Sequence, residues 1–151
     1  MRYTAEIVIK LPLEVFIKTL FNPDNMKHWQ EDLTSFEHVS GTPGTIGNKM
    51  LLNYTIGKRK IALMETITYT NLPHEICLSY ETKGMHNIQK NTFYTTAEKN
   101  TKWVSENEFM PISFLYRMMV LLMPGAFKKQ SEKYLVAFKK FAENQTSIQN
   151  A

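Results

Sequence analysis

Glu106 and Glu108 stand two residues apart, so on a strand they share one face. Paired carboxylates turned into a cavity would do acid–base work. The alternate positions are Trp103, Ser105, Asn107 and Phe109. Aromatic side chains belong inside, which sends the two glutamates to solvent unless a β-bulge reverses the facing. The four histidines, His28, His38, His74 and His86, are not spaced with another His, Cys or carboxylate as zinc ligands are. No metal site is expected. No G-x-S-x-G turn is present to expose a nucleophilic serine. Cys77 lies between Ile76 and Leu78 and reads as a small buried hydrophobe. Gly41, Gly44 and Gly47 are spaced G-x-x-G-x-x-G and lead into a strand. A dinucleotide loop needs G-x-G-x-x-G opening a helix, and a phosphate loop needs Gly-Lys-Ser/Thr where this chain has Gly47-Asn48-Lys49. The segment therefore reads as a strand connection and cavity rim, and no cofactor is expected.

The elements that must position these residues come from a chain of 151 residues with net charge +4. Hydrophobic residues make up 43% and charged residues 21%, which excludes intrinsic disorder and fits one globular domain over 1–151. Cys77 is the only cysteine, so no intrachain disulfide forms, and a reducing, cytoplasmic setting is expected. Thr4, Glu6 and Lys10 interrupt the opening segment, so it does not read as a signal peptide. The most apolar run, Phe114 to Met123, contains Arg117 and falls well short of the ~20 residues that span a bilayer, so no transmembrane segment is expected. The lysines are dispersed, and the densest set (Lys128, Lys129, Lys133, Lys139, Lys140) forms the wet face of a helix. Nucleic acid is not an expected partner.

Residues 2–10 alternate as a half-buried strand. Pro12 then opens a helix with Leu13, Phe16, Ile17 and Leu20 on one face. Asn22-Pro23 ends it and caps a second short helix, with Trp29 near its end. Six strands follow: 36–40, 49–56, 59–70, 75–82, 85–98 and 101–109, joined by tight turns as an antiparallel meander. The tail is helical from Pro111, with a kink or break at Pro124-Gly125 and polar residues, Asn144 to Ala151, that should fray. One long amphipathic helix must cover one face of a large sheet. A curved sheet wrapped around that helix leaves an apolar hollow between them.

In this order and spacing, several segments resemble the START/Bet v 1-like superfamily (SRPBCC, polyketide cyclase/dehydratase-like). They are Leu11-Pro12-Leu13-Glu14-Val15-Phe16, Asn22-Pro23 with Trp29, and Val39 through Gly47. Glu65-Thr66-Ile67, the Leu72-Pro73 turn, Thr101 and Pro124 through Lys129 complete the set. The resemblance spans nearly the whole chain. It implies an α+β, helix-grip fold: a curved antiparallel β-sheet of about seven strands wrapped around a long C-terminal helix, with two short helices after the first strand. It also implies a hydrophobic pocket under that helix, and it does not imply one activity.

On such a fold the pocket wall and the core share a face. Strand and helix facing give the candidate ligand-binding residues. Trp29 and Phe36 stand near the entrance, and Met50, Leu52, Tyr54, Tyr80, Phe93, Trp103 and Phe109 come from the strands. Met118, Met119, Leu122 and Phe138 come from the last helix. The first functional reading is a binder or carrier of a small hydrophobic molecule such as a lipid or polyketide. The second is a cyclase- or dehydratase-like enzyme that shapes its substrate in the cavity, assisted by Tyr80 or Glu106. An inward carboxylate or histidine separates these two. The third is an interaction module. Residues 114–123 are apolar nearly all the way round, so one side should meet a partner protein, a second copy or a membrane, unless preceding loops cover it.

Overall fold

A strand alternation this regular closes into a sheet only if each strand finds its neighbour. In the computed structural model seven strands do so: β1 (Arg2–Ile9), β2 (Leu33–Ser40), β3 (Lys49–Ile56), β4 (Arg59–Asn71), β5 (Glu75–Thr82), β6 (Met85–Thr95) and β7 (Thr101–Pro111). Residues 1–149 are described, with side chains through Gln145. Neighbouring strands in the chain pair antiparallel, and β1 returns beside β7, giving the order β1-β7-β6-β5-β4-β3-β2. The helices are α1 (Leu13–Leu20), α2 (Met26–Trp29), α3 (Phe114–Leu122) and α4 (Ala126–Gln149). This is an α+β helix-grip arrangement, with α4 lying across the inner face of the curved sheet.

Local chemistry explains the boundaries. Asn22 Oδ1 accepts the Asp24 N–H at 3.1 Å and caps a single 3₁₀ turn ahead of α2. β2 begins three residues earlier than its alternation suggests, because Leu33 pairs with Tyr54. β6 stops at Thr95, where Thr96 to Asn100 form a turn with Lys99 at φ 63°. β7 runs on to Pro111, which sits opposite Met85. The tail helix then starts only at Phe114, where Ser113 Oγ accepts the Tyr116 N–H. The chain breaks at Met123–Gly125, so the tail is two helices rather than one kinked helix. The polar tail predicts fraying from Asn144, yet α4 continues to Gln149; Asn150 and Ala151 lie outside the described residues.

The space between sheet and helices is divided along α4. Near the β6–β7 turn it is filled by a closed aromatic plug. Phe16 meets Phe93, Trp103 and Phe138 with ring centroids 5.2, 5.8 and 5.6 Å apart. Ile9, Leu11, Leu135 and Ala142 seal it, and Thr101 Oγ1 donates to the Leu11 carbonyl at 2.9 Å. Toward the other end of the sheet the filling stops and a cavity begins.

Candidate functional site

The cavity has a volume of about 290 Å³, at the small end of the ~300–1,000 Å³ typical of ligand pockets. Alternation builds its walls: Leu52, Tyr54 and Ile56 on β3; Ile61, Leu63 and Glu65 on β4; Trp103, Ser105, Asn107 and Phe109 on β7. Tyr80 and Thr82 come from β5, and Met85, Asn87 and Gln89 from β6. Trp29 and Gln30 close one side. Phe127, Gln130, Ser131, Tyr134 and Leu135 form the roof from the first half of α4.

Trp29, Leu52, Tyr54, Tyr80, Trp103 and Phe109, all named from sequence, are thus brought together on one cavity. The other candidates stand elsewhere. Phe93 and Phe138 are buried in the aromatic plug and are not in the lining. Phe36 shares its face with Leu52, but β2 is the last strand of the sheet and the side chain stays 38% exposed. Met50 lies opposite Glu65 toward the Gly41–Gly47 loop and is not in the lining. Met118, Met119 and Leu122 are on α3, which the break at Pro124-Gly125 leaves at the end of β7 instead of over the sheet. The glycine loop is not a cavity rim either. It folds onto β4, with Gly47 N–H donating to the Ile67 carbonyl at 2.7 Å. Gly41 has φ +84°, and a Cβ there would stand 2.8 Å from Asn48 Cα.

Glu106 is exposed on the outer face, and Glu108 there meets Arg2 at 3.4 Å, so neither carboxylate faces the cavity. Cys77 is half-buried on that outer face opposite Lys90, with its thiol 3.8 Å from Glu75 Oε2, rather than fully inside. The inward carboxyl is Glu65. Its signal is present in the sequence: in β4 it interrupts the apolar alternation Ile61, Leu63, Ile67.

Glu65 sits directly across from Tyr80 and forms a side-chain hydrogen bond with it. Protein surrounds the carboxyl, while its open side faces the empty space of the cavity. Burial raises its pKa, and the bond from Tyr80 only partly offsets that. Burial likewise pushes the Tyr80 and Tyr54 phenols up, helped by the charge of Glu65. Tyr54 donates to Gln30 Oε1 at 2.6 Å. Among the described lining residues there is no Lys, Arg or His. Among the described residues generally, no three His, Cys, Asp or Glu converge as a metal site would require.

The floor is more polar than an apolar hollow. A directed row of hydrogen bonds crosses it. Trp103 Nε1–H donates to Asn91 Oδ1 at 2.9 Å, Asn91 Nδ2 to Gln89 Oε1 at 3.0 Å, and Gln89 Nε2 to Asn107 Oδ1 at 3.0 Å. Asn107 Nδ2 then donates to Ser105 Oγ at 3.0 Å. An indole is a donor only, so Trp103 orients every amide after it. The row is readable by parity, since Asn87, Gln89 and Asn91 share the face of Phe93.

A raised pKa has a sign in stability. A carboxyl that holds its proton more tightly when folded stabilises the fold fully below its unfolded pKa, and that contribution fades as pH rises through the folded value. Glu65→Gln removes the dependence. Thermal melts from about pH 4 to about pH 8 should show the variant gaining on the wild type as pH rises. Parallel profiles would mean the carboxyl is not held protonated by the fold.

No protein-family model matches the chain, and no curated protein matches it in sequence. Solved structures do match in shape. The Zhui aromatase/cyclase of Streptomyces sp. R1128 superposes with a TM-score of 0.79 at 11% identity, covering 97% of this chain and 95% of that one. The TTHA0849 protein of Thermus thermophilus gives 0.77 at 13%, covering 96% and 99%. A point mutant of Thalictrum flavum norcoclaurine synthase, in complex with a transition-state analogue, gives 0.69 at 11%, covering 97% and 96%. The seven-stranded sheet, the two short helices after β1 and the long α4 agree with these shapes, and the chain has the helix-grip fold that they share.

Proposed function

We propose that the chain binds a small, largely apolar, non-anionic molecule in the cavity beneath α4. The observation that carries this is the charge inventory of the lining: seven aromatic side chains, one carboxyl and no cation. Burying apolar ligand surface contributes ~25 cal/mol per Å². The amide row and the Tyr54 and Tyr80 hydroxyls orient the polar substituents of the ligand. A free carboxylate or phosphate would lose its hydration without gaining a counter-charge. Trp29, Leu52, Tyr54, Tyr80, Trp103 and Phe109 are the contacts we assign to the ligand. Residues 1–151 read as one domain, and the lone Cys77 suits a reducing, cytoplasmic setting.

The test pairs mass spectrometry with a probe series. Spectra under native and then denaturing conditions should release a discrete small molecule from the wild type. Gln130→Trp, which fills the roof, should release none. In the emptied protein, fluorenone should bind about tenfold more tightly than fluorene-9-carboxylate of the same skeleton, a difference of about 1.4 kcal/mol. Equal affinities would overturn the charge argument. Wild type and Gln130→Trp binding both probes alike would remove the cavity from the account.

A second reading is favoured by Glu65 and Tyr80. A buried carboxyl whose pKa is raised, directly across from a phenol on the cavity wall, suits acid–base work on the bound molecule. Under that reading Glu65→Gln still binds the released molecule but no longer converts it. Unchanged conversion would leave the carboxyl a binding group.

A further inference from the structure

In an antiparallel meander alternate turns fall at the same end. The β3–β4 turn (Gly57-Lys58), the β5–β6 turn (Lys83-Gly84) and the end of β7 share one end of the sheet, and the cavity reaches it through Ile56, Met85, Phe109 and Phe127. α3 starts there, tied down where Ile112 and Ser113 N–H donate to the Gly84 carbonyl at 2.8 and 3.1 Å.

Beyond that tether α3 covers little and little covers it. Phe114, Leu121 and Leu122 are 77%, 72% and 70% exposed, and Ile112, Leu115 and Met123 are exposed beside them. Large apolar side chains held together in water are an unpartnered surface. Exposed cations stand at the same end of the sheet: Lys58, Arg59 and Lys60 on the β3–β4 hairpin and Lys83 on the next, with Arg117 on α3 itself and Lys129 at the start of α4. None of these six makes an ion pair among the described residues. Most acids at this end are already engaged. Glu108 meets Arg2, Glu132 meets Lys128, and Glu31 meets Lys133 with Asp32 beside the same lysine, while Glu81 lies 3.4 Å from the His86 ring.

We propose that this end of the molecule docks on an anionic lipid bilayer. α3 enters the headgroup region and these lysines and arginines hold the anionic surface. An exposed apolar helix rimmed by basic side chains is the pattern that binds in the plane of a membrane. At nine residues α3 is ~14 Å long and lies in the interface; no described helix is long and apolar enough to cross. A second copy fits the surface worse, since a two-fold contact would bring like cations together. A soluble polyanion would engage the cations but leave the leucines in water. The docked face includes the cavity end, so an apolar occupant would exchange with the bilayer without crossing water. The docking itself stands whether that occupant is carried or converted.

The experiment is flotation with phosphatidylcholine vesicles, with and without about 30% phosphatidylglycerol, at low salt and at about 0.5 M salt. The wild type should float with the anionic vesicles at low salt and about tenfold less with neutral vesicles or at high salt. Lys58→Glu/Lys60→Glu should lose flotation, and so should Leu121→Ser/Leu122→Ser. Lys10→Glu/Lys140→Glu, an equal change of charge outside the cavity end, should retain it. All four positions changed to Glu are exposed, so the variants are expected to fold, and circular dichroism checks that. Absence of flotation with anionic vesicles overturns the proposal. So does equal loss in the Lys10/Lys140 control, which would reduce the effect to net charge. A wild-type dimer by light scattering that the leucine variant abolishes, without flotation, would assign the face to a second copy. Flotation that survives the leucine changes but not the lysine changes would reduce the surface to a polyanion site.

Discussion

Phe16→Ala should cost about 3–5 kcal/mol of folding stability. The side chain is 0% exposed and its ring touches Phe93, Trp103 and Phe138 together. It projects from α1, an eight-residue helix too short to be stable alone, so that ring fastens the helix to the sheet. Removing it forfeits buried area and leaves a cavity whose walls belong to three different elements and cannot collapse together. The measurement is urea unfolding, where the midpoint should fall with little change in slope. A loss below about 1 kcal/mol would mean that the plug repacks and that α1 is held by other contacts.

Asn91→Leu comes next, at on the order of 2–5 kcal/mol. Leucine matches asparagine in shape but neither accepts the Trp103 N–H nor donates to Gln89 Oε1, so one buried and one half-buried polar group lose partners at about 1–3 kcal/mol each. A double-mutant cycle isolates the cause. In a Trp103→Phe background the indole N–H is already gone, so Asn91→Leu should cost less there than in the wild type. Equal costs in both backgrounds would mean that water or a shifted amide repairs the row.

Much of this arrangement is legible from residues. The alternation of β1, the Asn22-Pro23 cap, and the parity that puts Trp103 inside and Glu106 outside follow from short-range chemistry. So does the inward facing of Tyr54 and Tyr80. What escapes is how far each face extends. Phe93 and Phe138 point inward as expected, but only the docking of α1 shows that they end in solid core. An apolar helix after the last strand predicts a cover for the sheet, which would put Met118, Met119 and Leu122 in the cavity. The break at Pro124-Gly125 instead ends one helix and starts another. Glu65 is hidden by the usual rule that carboxylates go to solvent, although its place in an apolar alternation contradicts that rule. The polar floor escapes for a related reason: one amide on an inner face is an anomaly, whereas a row of them satisfies itself.

The division of the interior along α4 has a consequence for how such a protein changes over time. Leu135, Phe138 and Ala142 in the middle of that helix belong to the plug, whereas Phe127, Gln130, Ser131 and Tyr134 nearer its start face the cavity. Foldedness and recognition are thus written on successive stretches of one element, with Leu135 shared at the boundary. Substitutions in the first stretch can retarget the cavity while drawing little on the stability reserve held by the second. A lineage built this way can drift from one ligand to another without passing through unfolded intermediates. Fold likeness at 11–13% identity between this chain and the shapes it matches is the outcome such insulation allows.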